Sequence, residues 1–196
     1  MDKKAIQEQR MRRYFIEATR EILKGEGFKA ISVRNIADRA GYSYATLYNY
    51  FKDIRDLVFE CVLDFQQECQ AFVEERAGAV VGDKERILAR MMAYANYFLE
   101  YPGVFDLFYL EKYNGIEGRL STSRIIYDFP AQLCAADWQN GVAAGTWTEQ
   151  EASRMQTQLS YLAAGLLVFY LNRRIPMDYP EFQRLMKEQF LSALDG

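Results

Sequence analysis

The sequence predicts an all-α protein made of a three-helix N-terminal head and a larger helical body. Apolar residues recur at three- and four-residue intervals almost throughout. No run of alternating residues bounded by turn signals reads as a strand. With 196 residues, half of them apolar, the chain can bury a sizeable core, and the head is expected to end near residue 52.

In the first segment Met11, Phe15, Ala18 and Ile22 share one helical face, and Gly25-Glu26-Gly27 ends a helix that begins at about residue 4. Ser32 is a good N-cap for the next helix. Ile31 before it and Ile36 within it form a hydrophobic staple, and Val33, Ile36, Ala37 and Ala40 make its inner face. Gly41 stops this helix and can take the left-handed backbone conformation that a tight inter-helix turn needs. Ser43 then caps a third short helix over Tyr44 to Tyr50, with Leu47 pointing inward beside the small Ala37. Two short helices joined by a glycine-containing turn read as a helix-turn-helix.

Beyond the head, Leu57, Cys61, Phe65 and Phe72 describe a long helix from Ile54 to about Ala77. Further helices are expected over 83–100, 103–112, 119–140, 148–174 and 180–194. Thr148 with Glu151 three residues on is a capping box, and Pro180 suits a first turn.

Charge is unevenly distributed. Residues 1–52 hold eleven Lys/Arg against six Asp/Glu, a net +5, whereas the remainder holds thirteen against twenty-one, a net −8. A basic head on an acidic body points to a polyanion as partner for the head alone. The chain has no histidine, which removes the commonest general base and the usual nitrogen ligand for zinc. Its three cysteines, Cys61, Cys69 and Cys134, lack the close pairing of metal or redox motifs and read as reduced and buried. No cofactor and no metal are expected. The longest apolar stretch, Tyr161 to Leu171, is eleven residues, below the roughly 20 needed to span a bilayer. The charged N-terminus lacks a signal peptide's apolar segment, so a cytoplasmic protein is expected.

The stretch Ser32-Val33-Arg34-Asn35-Ile36-Ala37-Asp38-Arg39-Ala40-Gly41-Tyr42-Ser43-Tyr44-Ala45-Thr46-Leu47-Tyr48-Asn49-Tyr50-Phe51 resembles the signature of tetracycline-repressor (TetR) family regulators. Their recognition helix commonly reads Gly-(Ala)-Thr-Leu-Tyr-x-Tyr/His-Phe. The resemblance covers roughly residues 10–65. Beyond it, Tyr101 to Phe108 is similar to a proline followed by aromatics in many members, and Gly141 to Gly145 is similar to the end of their seventh helix.

The resemblance implies a bacterial, homodimeric transcriptional regulator, usually a repressor, that responds to a small molecule. Residues 1–52 would then be the DNA-binding domain and 53–196 the effector-binding and dimerisation domain. In a helix-turn-helix the second helix enters the major groove while phosphates are gripped around it. By resemblance, Thr46 and Tyr50 would hold phosphates, and Tyr44, Ala45 and Tyr48 would lie against bases. Arg34 is the candidate for a guanine contact. Tyr42, Ser43, Asn49 and Lys52 complete the expected surface. Four tyrosines within nine residues offer stacking planes and hydroxyls suited to sugar-phosphate edges, against the alternative that they are half-buried surface of a small helical domain. Arg10, Arg12 and Arg13 read either as a phosphate contact or as a solvated charge run. Many members carry lysine where this chain has Ile54, and Lys52 or Arg55 could substitute.

In the body, Tyr94, Tyr97, Phe98, Phe105, Phe108, Tyr109, Tyr127 and Trp138 are the candidates for a cavity that takes an apolar or aromatic effector, against the alternative that they simply fill the core. Tyr113 belongs to the same aromatic run, and Asn96, Arg124 and Asp128 are possible polar anchors. Leu159, Leu162, Leu166 and Tyr170, with Phe182, Met186 and Phe190, are expected to build a four-helix interface between two subunits; the alternative buries them within one. Two other functions remain open. A helical adapter with a protein partner would fit the modest head charge and Ile54. An all-α enzyme lacks any nucleophile-base constellation, phosphate loop or metal spacing.

Overall fold

The computed structural model describes residues 3–111 and 120–195. Every helix and turn among them agrees with the expected all-α class, and no strand occurs among the described residues. The helices are α1 (Lys3–Gly25), α2 (Val33–Ala40), α3 (Tyr44–Tyr48), α4 (Ile54–Ala77), α5 (Asp83–Glu100), α6 (Pro102–Phe105), α7 (Leu120–Leu133), α8 (Ala135–Ala143), α9 (Glu149–Leu171) and α10 (Tyr179–Asp195). No helix among the described residues is long and apolar enough to cross a membrane.

The chain packs as two compact units. The first comprises Met1–Gln67 and Tyr101–Ile126, the second Glu68–Glu100 and Tyr127–Gly196.

In the first unit, α1 packs on α2 and on α6. Phe15, Ile22, Ile36, Leu47, Phe51 and Phe65 are fully or almost fully buried there. Gly103 shows how closely α6 approaches α1: a Cβ at this position would lie within contact distance of the Leu23 carbonyl oxygen and 3.0 Å from the Gly27 Cα. The helix expected over 103–112 is instead one α-turn followed by a wider π-turn over Asp106–Leu110, closed by the Glu111 N–H on the Asp106 carbonyl at 2.9 Å. Tyr113 and the expected helix ends at Lys112 and Arg119 lie outside the described residues.

In the second unit, α5 is central and packs against α8, α9 and α10. Asp137, only 3% exposed, pairs with Arg86 and, at 3.0 Å, with Arg90. Arg86 also donates to the Val80 carbonyl at 2.8 Å, and Arg90 pairs with Glu74 at 2.7 Å. A buried carboxylate is tolerable only with such partners. The single helix expected over 119–140 is broken at Cys134, whose N–H turns to the Ala131 carbonyl at 3.3 Å while its own carbonyl accepts from Trp138. Pro130 lies one turn before the break and supplies no N–H to the ladder. The Thr148–Glu151 capping box forms as expected, and its bonds to the Thr148 N–H and hydroxyl hold the Glu151 carboxyl below its usual range.

Candidate nucleic-acid interface

The head owes its shape to two caps and one glycine. Ser32 accepts from the Asn35 N–H at 3.1 Å, and Ser43 accepts from the Thr46 N–H at 3.1 Å, so each short helix has an orphan N-terminal donor satisfied. Gly41 adopts φ 75°, a left-handed conformation costly for residues with a Cβ, and Tyr42 then closes the turn with its N–H on the Ala37 carbonyl at 2.9 Å. Leu47 and Phe51 are buried beneath α3, which leaves the opposite side outward. The recognition helix ends at Tyr48, two residues before its expected end, although Tyr50 and Phe51 continue the turn by donating to the Leu47 carbonyl at 3.0 Å each.

That outward side holds the expected residues together. Tyr44 and Tyr48, one turn apart, are 67% and 51% exposed, and Ala45 and Asn49 are exposed beside them. Arg34 on α2 projects with 92% of its side chain in solvent, attached only loosely to Asp38 at 3.9 Å. Between α2 and α3 lies a cleft of about 650 Å³, walled by Val33, Ala37 and Tyr42 as well as Arg34, Asp38, Tyr44 and Tyr48.

Other expected contacts are partly committed elsewhere. Ser43 and Thr46 share a hydrogen bond at 2.9 Å, so both hydroxyls already serve the cap. Tyr42 packs against Tyr14 and Phe15 at 6.0 and 5.7 Å, and Tyr50 packs against Phe15 at 6.1 Å. Arg55 is held by Asp53, and this pairing keeps the Asp53 carboxyl below its usual range. Lys52 is exposed. Of the basic cluster, Arg10 is exposed, but Arg12 and Arg13 pair with Glu60 and Asp64 at 3.3 and 2.8 Å. With 32% and 53% of their side chains in solvent, Arg12 and Arg13 form these pairs at the surface. Asp38 escaped the sequence reading, which placed Val33 and Ala37 on the inner face of α2; the i,i+4 spacing of Arg34 and Asp38 was the available signal.

The aromatic residues of the body are divided between the two units. Tyr94, Tyr97 and Phe98 are buried; Phe98 packs edge-on against both tyrosines, Tyr94 also against Phe129, and Tyr97 donates to Glu68 at 3.2 Å. Phe105, Phe108 and Tyr109 belong to the first unit, where Tyr109 packs on both phenylalanines. Tyr127 is exposed and shares a hydrogen bond with Tyr161 at 3.4 Å, which raises the Tyr127 hydroxyl pKa. Trp138 borders a cavity of about 430 Å³ between α8 and α9. Asn96 accepts from Tyr179 and Gln183 rather than standing free.

Four residues expected at a subunit interface, Leu159, Phe182, Met186 and Phe190, are buried within the second unit, and Tyr170 stacks on Phe182 at 3.9 Å. These four fill the chain's own core and present no surface to a second copy. Leu162 and Leu166 lie on an adjacent face and, with Tyr161 and Phe169, line an open groove of about 690 Å³ between α9 and α10.

Residues 15–61 match the family model described as bacterial regulatory proteins, tetR family. They form a tetR-family domain. Solved structures extend the likeness over almost the whole chain. A putative tetR-family transcription regulator from Shewanella sp. PV-4 has a TM-score of 0.69 at 16% identity, covering 93% of this chain and 97% of that one. The transcriptional regulator FadR from Bacillus subtilis, solved with stearoyl-CoA, has a TM-score of 0.72 at 17% identity, covering 92% and 97%. RolR, solved with resorcinol, has a TM-score of 0.68 at 14% identity, covering 93% and 95%. At these identities the likeness establishes a shared tetR-type fold. No curated protein sequence is similar enough to count as a relative.

Proposed function

We propose that this chain is a cytoplasmic, homodimeric transcriptional repressor that binds a near-palindromic operator through residues 1–52 and is released by a small effector held in residues 53–196. The observation that carries the reading is the doubly capped α2–turn–α3 head, whose exposed Arg34, Tyr44 and Tyr48 share one side. In this reading α3 enters the major groove with Tyr44, Ala45 and Tyr48 against base edges and Arg34 on a guanine. Thr46, Tyr50 and Lys52 hold phosphates, and Tyr42, Ser43 and Asn49 border the contact. The basic balance of the head supports the polyanion partner.

A second copy docks along the groove between α9 and α10, on Leu162 and Leu166 rather than on the core residues behind them. A two-fold dimer sets two heads at two half-sites, so the operator is near-palindromic. FadR and RolR were solved with an acyl-CoA and a small phenol, which supports an apolar or aromatic effector for the aromatic-rich body here. The effector binds the DNA-incompetent state more tightly and thereby shifts the population away from the operator.

Selection of binding sites from random duplex DNA by the purified protein tests this reading. Enrichment of a two-fold symmetric motif is expected; a folded dimer that enriches no motif overturns it.

A further inference from the structure

We propose that Arg12 is a positioning residue, the joint that sets the pose of recognition helix α3 against α4. This inference rests on the reading of the head as a DNA reader. At five residues, α3 is too short to hold its own orientation, and the carbonyls at its C-terminal end need donors from outside. Arg12, on α1, supplies one. Its Nη1 donates to the Tyr50 carbonyl at 2.7 Å, just past the end of α3. Its guanidinium carbon lies 4.2 Å above the centre of the buried Phe51 ring. Its Nη2 meets Glu60 on α4 at 3.3 Å.

One rigid, planar group therefore touches both the chain leaving α3 and the second turn of α4. The fork geometry of guanidinium makes these contacts interdependent, because moving Glu60 turns the plane away from the Tyr50 carbonyl. Arg13 and Arg20 also reach α4, at Asp64 with 2.8 and 3.4 Å. Arg12 adds a bond to the chain leaving α3, so a displacement of α4 at Glu60 passes through it to the recognition helix.

The rival role is a direct phosphate contact, and the two roles predict opposite signs. Duplex carrying the selected operator is titrated with wild type, Arg12→Gln and Glu60→Gln across a salt series. Positioning predicts that Arg12→Gln weakens binding by about tenfold with an unchanged salt slope. It also predicts that Glu60→Gln weakens binding, although removing a negative charge from beside the head would by charge alone tighten it. A slope shallower by about 0.9 for Arg12→Gln, or unchanged or tighter binding by Glu60→Gln, overturns the proposal.

Amide hydrogen exchange in the free protein provides a readout independent of DNA. Faster exchange over residues 44–51 in both variants, with α1 protection retained, is expected; unchanged exchange there overturns the joint. If wild type enriches no duplex, the DNA-reading function fails while exchange still decides the pose of α3. Should Arg12→Gln not fold, Glu60→Gln carries both measurements.

Discussion

Replacing Arg34 by alanine separates what α2 does for the fold from what it does for DNA. In the free protein 92% of the Arg34 side chain is in solvent, and its ion pair with Asp38 is long, at 3.9 Å. An exposed i,i+4 pair of this kind contributes a few tenths of a kcal/mol, and alanine is the better helix former, so the melting temperature is expected to stay within about 2 °C of wild type. Against the operator the expectation differs. A bidentate arginine–guanine contact is worth about 1–3 kcal/mol of discrimination, which corresponds to about 5- to 150-fold in affinity. Fluorescence anisotropy with the selected duplex, at stated salt, measures the loss. A repeated selection should show the motif relaxed at one base pair in each half-site and retained elsewhere. Asp38→Ala provides the control, since it releases Arg34 and removes a negative charge, and it is expected to bind at least as tightly as wild type. Affinity of Arg34→Ala within twofold of wild type, with the same motif enriched, would refute the placement of Arg34 on a base.

Three further outcomes follow from the geometry. Gly103→Ala forces a Cβ against the Leu23 carbonyl and the Gly27 Cα, both backbone groups that no rotamer change can move, so urea unfolding should show a loss of about 1–3 kcal/mol. Leu162→Glu or Leu166→Glu places a charge in the open α9–α10 groove without touching the buried core, and sedimentation should then find folded monomer in place of dimer. Alkaline stability reports on the cysteines: burial pushes all three thiols up from 9.0, Cys134 to about 12, so the unfolded chain ionises first. Their contribution is complete below pH 9.0 and is lost as pH rises towards about 12, and Cys134→Ala should flatten that part of a stability-against-pH curve measured by chemical denaturation.

The head was legible because its determinants are local. Ser32, Gly41 and Ser43 act on backbone groups within four residues of themselves, so their spacing alone predicts two capped helices and the turn between them. The start of α9 was readable for the same reason, from Thr148 and Glu151. Where the reading failed, a local pattern met a choice made by distant contacts. Helical periodicity continues through Cys134, but the chain turns there, and the following helix brings Asp137 to Arg86 and Arg90. A run such as Leu159, Leu162 and Leu166 is apolar on two adjacent faces, and periodicity cannot say which face meets the chain's own α10 and which stays open.

By itself the sequence determined the helical class, the capped helix-turn-helix, the positive head, and the outward placement of Arg34, Tyr44 and Tyr48, because each depends on backbone capping, helical period or net charge. Only the tertiary structure decided that Tyr94, Tyr97 and Phe98 pack edge-on in the core, that Leu159 and Phe190 are buried within one chain, and that Arg12 spans from α1 to Tyr50 and Glu60. Those outcomes depend on which faces meet across tens of residues, and the residue types involved are equally compatible with core, pocket or interface.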